Sequence, residues 1–283
     1  MRAQKSLWLK PPARRMVRPT RRKAARLGQN FLMHARIAER IALVAKLAPD
    51  SVVFEIGPGT GMLTRALLAR ARKVIAIEAD KELFEKLQND FRNEIADGRL
   101  ELIHGDIRTF DIAVLPKGYA LVANIPYYLT GDIFRMFLAS NNQPSSMTLL
   151  VQKEVADRIV ARDGKQSILS LSVQVYGTSK REFLVPRGAF SPAPKVDSAV
   201  LTIRDISRNN FSSREEEERF FALLHAGFAH KRKFVRKNLA KFGLLAGDVP
   251  EKARAEDLPL FVWLVLSRIR GRVTMPGKNL PSA

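Results

Sequence analysis

Between residues 27 and 204 the apolar residues gather in short runs with few polar breaks, and amphipathic stretches separate them. Runs of this kind read as strands buried on both faces of a parallel sheet. They fall at 52–56, 73–78, 100–104, 119–124 and 147–152. Helical spacing predicts helices at 61–70, 81–91 and 167–176. Two further runs, 181–185 and 199–204, are joined by a Pro-containing turn and predict an antiparallel hairpin at the sheet edge. Strand–helix alternation closed by a hairpin argues for a doubly wound α/β sheet. Beyond residue 210 helical spacing takes over at 214–229, 231–242 and 257–269, broken by Gly243, Gly247 and Pro250. The expected organisation is an arm at 1–26, a sheet domain at 27–208, a helical domain at 209–272 and a tail at 273–283.

A length of 283 residues suits two domains. Apolar residues make up 46% and charged residues 27%, which excludes a wholly disordered chain. No apolar run approaches ~18 residues, so no membrane span is expected. The chain has no Cys, which excludes disulfides, thiolate catalysis and Cys-based zinc sites. The four His are scattered, and no metal is expected.

Charge changes the picture. Lys and Arg number 48 against 28 Asp and Glu, for a net charge of +20. Such a field attracts polyanions, with nucleic acid the first candidate and an acidic membrane surface the second. The first 26 residues hold ten of the basic side chains and no acidic one. Pro11, Pro12 and Pro19 break any long helix there, so the segment reads as a basic arm that tracks phosphates. An Arg-rich, acid-free start also resembles an organellar transit peptide, although prolines spoil the amphipathic helix such a peptide needs. A second basic stretch, His230 to Lys241, holds six Lys and Arg and no acid. On the predicted helix Lys233, Arg236 and Lys237 share one face, a stripe suited to phosphates.

Gly57-Pro58-Gly59-Thr60-Gly61 follows the first long strand and opens a helix. Its G-x-G-x-G spacing differs from the G-x-G-x-x-G of dinucleotide sites, and no Lys-Ser/Thr follows as in a phosphate loop. Glu78 ends the second long strand, where a carboxylate can accept both ribose hydroxyls. Asp106 follows the third, where it can accept from an adenine amino group. All stand at the carboxyl ends of adjacent strands, the ligand edge of an open α/β sheet. An adenosine ligand without phosphates fits best, and S-adenosylmethionine (SAM) is the expected cofactor.

Asn124-Ile125-Pro126-Tyr127 ends the fourth strand, beside that site. The exocyclic amine of adenine is a poor nucleophile because the ring delocalises its lone pair. The Asn124 amide oxygen and the Ile125 carbonyl can accept its two N–H bonds and favour a tetrahedral nitrogen. Pro126 stiffens the turn. Tyr127 can stack on a base that has left its helix.

These segments, with Leu27-Gly28-Gln29-Asn30-Phe31-Leu32, Gly105-Asp106-Ile107, Gln152-Lys153-Glu154-Val155-Ala156 and the Phe190 to Ser198 stretch, resemble the rRNA adenine dimethyltransferases. Lys231-Arg232-Lys233 and Arg254-Ala255-Glu256 continue the match, which is closest to the KsgA/RsmA type. The resemblance implies a Rossmann-like class I SAM-dependent methyltransferase sheet with a small C-terminal all-helical domain. It implies that Gln29, Asn30 and Leu32 cover the methionine end of SAM and that Gly57 and Gly59 form its loop. Glu78 then holds the ribose, Asp106 with Ile107 the adenine, and Asn124 both cofactor and target amine. Phe190 matches an aromatic that packs on the target base. Lys231, Arg232, Lys233, Arg236 and Lys237 become RNA contacts.

The implied reaction is N6,N6-dimethylation of two adjacent adenines in the 3′-terminal hairpin of small-subunit (16S) rRNA, with S-adenosylhomocysteine as product. A cytoplasmic monomer acting on a small-subunit precursor, with no membrane partner, is expected. The erythromycin-resistance (Erm) type, acting on large-subunit rRNA, and a non-catalytic RNA-binding assembly or transcription factor remain the alternatives.

Overall fold

The computed structural model describes residues 30–230, 232–242, 244 and 248–269. The basic arm and the tail therefore lie outside the described residues. Two compact units emerge, one containing residues through Val160 together with Tyr176–Ser207, the other Ala161–Val175 and the residues from Arg208 on.

The first unit contains, in chain order, β1 (Phe31–Leu32), α1 (Ala35–Val44), β2 (Val52–Ile56), α2 (Met62–Leu68), β3 (Lys73–Glu78), α3 (Lys81–Asp90), α4 (Arg92–Ala96) and β4 (Leu100–His104). After these come β5 (Ala120–Asn124), α5 (Thr130–Leu138), β6 (Ser146–Gln152), α6 (Lys153–Ile159), β7 (Thr178–Val185), β8 (Phe190–Ser191) and β9 (Ser198–Arg204). The main sheet has the order β4-β3-β2-β5-β6-β9-β7. Its first five members are parallel, and β9 runs antiparallel to both β6 and β7. Successive side chains leave a strand on opposite faces, and both faces are covered. Val53, Val122, Leu150 and Val200 join a core with Ile41, Ala42 and Leu67 of α1 and α2. Phe54 stacks on Phe110 at 5.2 Å and meets Phe137 of α5 at 6.0 Å. This is why the strands read as continuous apolar runs.

The predicted hairpin exists, but its two strands are not joined by a simple turn. The connection makes a short turn at Arg187–Ala189 and then β8, which pairs antiparallel with β1. Two-residue strands are too short to show a period, whereas α1, which buries Ala38, Ile41 and Ala42 on one face, is an amphipathic helix absent from the expected elements.

The second unit holds α7 (Ile168–Gln174), α8 (Arg214–Gly227), α9 (Val235–Leu239) and α10 (Leu260–Arg268). The helix expected at 167–176 thus belongs largely to this unit rather than to the sheet. Its N-terminus is a Ser167/Ser170 capping box. Ser213 caps α8, whose first turn carries Glu215, Glu216 and Glu217 at the positive end of the dipole. Trp263 is fully buried and stacks on Phe228 at 5.8 Å. The helix expected at 257–269 begins only after Pro259, because the residue before a proline is driven to extended backbone and Leu258 has φ −86°, ψ 121°. The expected helix at 231–242 also shrinks. Phe234 is extended, and Val235 N donates to the Ala253 carbonyl at 2.9 Å, so regular helix covers only α9 before the turn at Ala240–Phe242. Among the described residues no helix is long and apolar enough to cross a membrane.

Candidate active site

Adjacent parallel strands end in register, and this brings their last residues together. Ile56 pairs with both Ile77 and Ala123, so the loop after β2 lies between Glu78 and Asn124. Gly59 has φ +58°, and a Cβ there would sit 3.1 Å from the Phe31 ring. Gly61 has φ +78°, and its Cβ would strike the Phe91 ring at 2.5 Å. Glycine at these positions satisfies both the backbone and the close approach.

Glu78 holds this loop. Its Oε2 accepts from Gly59 N at 3.0 Å and its Oε1 from Asp80 N at 2.9 Å. Each carboxylate oxygen keeps a further lone pair for a ligand hydroxyl. The side chain is buried, and burial raises its pKa against the lowering effect of those amides.

Glu55 is the residue that sequence reading missed. It is 1% exposed, and burial, with Glu78 nearby, pushes its pKa up to about 8. Its Oε2 has no hydrogen-bond partner among the described residues. The available signal was a carboxylate inside the apolar run 52–56, two residues before Gly57 begins the helix-opening loop.

The Asn124 side-chain nitrogen donates to the Asn30 carbonyl at 3.0 Å. A carbonyl only accepts, so this bond sets the amide's orientation and leaves Oδ1 for another donor. Ile125 is buried, and the chain then forms the turn Tyr127–Leu129. Thr130 Oγ1 donates to the Tyr127 carbonyl at 2.9 Å. The Tyr127 hydroxyl meets Ser198 Oγ at 2.7 Å, and burial raises the phenol's pKa.

One cavity is lined by Asn30, Phe31, Leu32, Glu55, residues 57–60, Met62, Leu63, Glu78 and residues 124–127. It unites Asn30, Leu32, Gly57, Gly59, Glu78, Asn124, Ile125, Pro126 and Tyr127 of the expected set. Gln29 lies outside the described residues. Asp106, Ile107 and Phe190 are not among the lining residues. The Asp106 carboxylate is engaged by Arg108, whose Nε lies 3.0 Å from both oxygens, and this pairing holds the acid below its usual pKa. Ile107 is buried. Phe190 is 4% exposed and packs in the core opposite Leu32, because β8 pairs with β1.

The cavity's charge is informative. Among the described residues its acidic side chains are Glu78 and Glu55, the latter with its pKa pushed up to about 8 by burial, and no Lys or Arg lines it. A pyrophosphate would find no cationic side chain among those lining residues. A cationic ligand with an apolar body and ribose hydroxyls finds Glu55 Oε2, the Phe31, Met62 and Leu63 walls, and the lone pairs of Glu78. These residues fit SAM.

In the second unit, Arg232 and Lys233 are exposed ahead of α9, and Arg236 and Lys237 are exposed within it. Lys233 therefore does not share a helix face with the other two. Lys231 lies outside the described residues.

Residues 20–252 match the model of the ribosomal RNA adenine dimethylase family. The ribosomal RNA small subunit methyltransferase A of Dehalococcoides mccartyi is 39% identical over 250 residues, covering 84% of each chain. The crystal structure of the 23S rRNA methyltransferase ErmE superposes with a TM-score of 0.71 and 28% identity, over 84% of this chain and 98% of that one. A dimethyladenosine transferase from Plasmodium falciparum gives a TM-score of 0.70 and 25% identity, over 83% and 95%.

Proposed function

The chain belongs to the ribosomal RNA adenine dimethylase family and is a methyltransferase, and on that footing we propose that it uses SAM to dimethylate N6 of two adjacent adenines in the 3′-terminal hairpin of small-subunit rRNA. The observation that carries the reading is the Asn124 amide, pinned to Asn30 in the same cavity as Glu78 and the glycine loop. Bound SAM supplies an electrophilic methyl group on a sulfonium.

The chain's own residues prepare the nucleophile. Asn124 Oδ1 and the Ile125 carbonyl accept the two amine N–H bonds, which draws the nitrogen lone pair out of the ring. Tyr127 stacks on the extruded base. Positioning and fixed dipoles carry the rate, so no strong base is required. The proton left on nitrogen after methyl transfer passes to water. Glu78 holds the ribose hydroxyls while its two backbone bonds keep the loop in place. Asp106 reaches an adenine amino group with lone pairs that Arg108 leaves open. Phe190 supports β1 from behind the cavity wall instead of touching the base. The exposed Arg232, Lys233, Arg236 and Lys237, with the basic arm, hold RNA phosphates and set position rather than sequence.

A-form grooves hide base edges, so the target is chosen through RNA shape and an exposed loop. The small-subunit choice is supported by the relative in Dehalococcoides mccartyi, which is named for that subunit. The proposed setting is a cytoplasmic monomer acting on a small-subunit precursor. The test is nucleoside mass spectrometry after incubation with SAM and unmethylated small or large subunits. Dimethyladenosine on the small-subunit RNA is expected. Methylation of large-subunit RNA alone would overturn the target while leaving the chemistry in place.

A further inference from the structure

Tyr127 is held by a strand to which the methyl-transfer chemistry assigns no role. Its hydroxyl meets Ser198 Oγ at 2.7 Å, a bond between residues 71 apart in the chain. Tyr127 follows β5, Ser198 opens β9, and β6 runs between those two strands in the sheet. Because β9 is antiparallel, its first residue stands at the edge where the parallel strands end. Ser198 pairs there with Gln152 on one side and Val185 on the other.

This anchor point is rigid. Ser198 is fully buried, with strands on both sides. The residue before it is tied twice more. The Asp197 carbonyl accepts from Lys153 N at 3.0 Å, and its Oδ1 accepts from Arg187 N at 2.9 Å. Tyr127 is only half-buried and lies in a short turn, so its ring needs an outside hold to keep one rotamer. A hydroxyl on a fixed strand supplies that hold.

We propose that Ser198 is a positioning residue for the target base, acting through the Tyr127 hydroxyl. The inference rests on the reading of Tyr127 as the residue that stacks on that base. Ser198 is not a lining residue of the cavity and makes no contact with cofactor or amine in this scheme. Its effect therefore falls on the base side alone.

The experiment is a double-mutant cycle with Ser198→Ala and Tyr127→Phe on the full chain, with Tyr127→Ala beside it. Turnover on unmethylated small subunits, SAM affinity by calorimetry, and fluorescence of 2-aminopurine placed at the target adenine are read for each. Ser198→Ala and Tyr127→Phe should each lower kcat by about threefold to tenfold, the scale of one hydrogen bond. The double variant should be no worse than either single one, because both delete the same bond. SAM affinity should stay unchanged, while quenching of the bound 2-aminopurine weakens in both. Losses that multiply, or wild-type turnover in Ser198→Ala beside an impaired Tyr127→Ala, would overturn the proposal alone. Wild-type turnover in Tyr127→Ala would overturn the stacking reading and the proposal with it. Should Ser198→Ala fail to fold, Tyr127→Phe deletes the same bond from its half-buried end, and its wild-type turnover and quenching would refute the hold.

Discussion

The side-chain nitrogen of Asn124 donates to the main-chain carbonyl of Asn30, 94 residues earlier, at 3.0 Å. The partner is backbone, so its position follows from β1 and not from a side-chain rotamer. The bond orients the amide before any substrate arrives, and holding reacting groups in place removes a large share of the barrier.

Asn124→Ala should therefore cut turnover by about a hundredfold or more while RNA affinity changes little. Asn124→Asp keeps an acceptor oxygen but sets a carboxylate against the Asn30 carbonyl, so it should be impaired as well. Single-turnover rates with saturating SAM, beside filter binding of RNA, check this. An active Asn124→Asp would mean that acceptance matters and orientation does not.

Glu78 and Asp106 should behave differently. Glu78→Ala removes the acceptor for two backbone amides as well as a ligand contact, so SAM affinity and folding stability should both fall, each by about 1–3 kcal/mol. Asp106→Ala should weaken SAM binding with less effect on stability, since its carboxylate is more exposed and paired with Arg108. Arg108→Ala frees that carboxylate, and SAM affinity should hold or rise. Calorimetry on the three variants decides; a loss in Arg108→Ala equal to that in Asp106→Ala would make the pair a single structural unit.

Stability should fall between pH 4.5 and 8. Burial raises Glu55 from 4.5 to about 8, so across that window the folded chain holds a proton that the unfolded chain has released. The contribution is complete below the lower value and is lost as pH rises through the upper one. Glu78 is shifted in the same direction. Glu55→Gln cannot ionise and should flatten the pH dependence of the urea midpoint. Parallel curves for the two proteins would mean that Glu55 is charged when folded.

The glycine loop offers a graded test. Gly61→Ala forces a Cβ into the buried Phe91 ring and keeps φ at +78°, so a cost of about 1–3 kcal/mol or more is expected from overpacking. Gly57→Ala has a similar φ of +66° but meets nothing within 4 Å, so it should cost less. Equal denaturant midpoints for the two variants would show that Phe91 yields.

Deleting residues 1–22 removes eight basic side chains. If they touch RNA phosphates, the salt dependence of binding should become shallower by about 0.7 per lost contact on single strands. An unchanged slope assigns the arm some other task.

The parallel strands, the glycine loop and the alternation that makes an α/β sheet were legible in the sequence. Strands buried on both faces leave uninterrupted apolar runs, and a turn at positive φ leaves glycines. Glu78 and Asn124 could be placed beside the loop because parallel strands all end at one edge. What depends on side-chain partners was not legible. Glu55 looked like part of a strand, and only the fold shows that it is buried in the cavity, where its pKa is pushed up to about 8. Asp106 carried no sign that Arg108 would occupy it. Phe190 went to the core because β8, too short to read, pairs with β1. The basic helix at 231–242 broke at Phe234 because Val235 N bonds to Ala253, a contact that periodicity cannot encode. The bonds from Asn124 to Asn30 and from Tyr127 to Ser198 join residues distant in the chain. A strand's pattern records which faces are buried, whereas its neighbours in the sheet are settled only when the chain closes. That is why the chemistry could be read from the sequence and its scaffolding only from the tertiary structure.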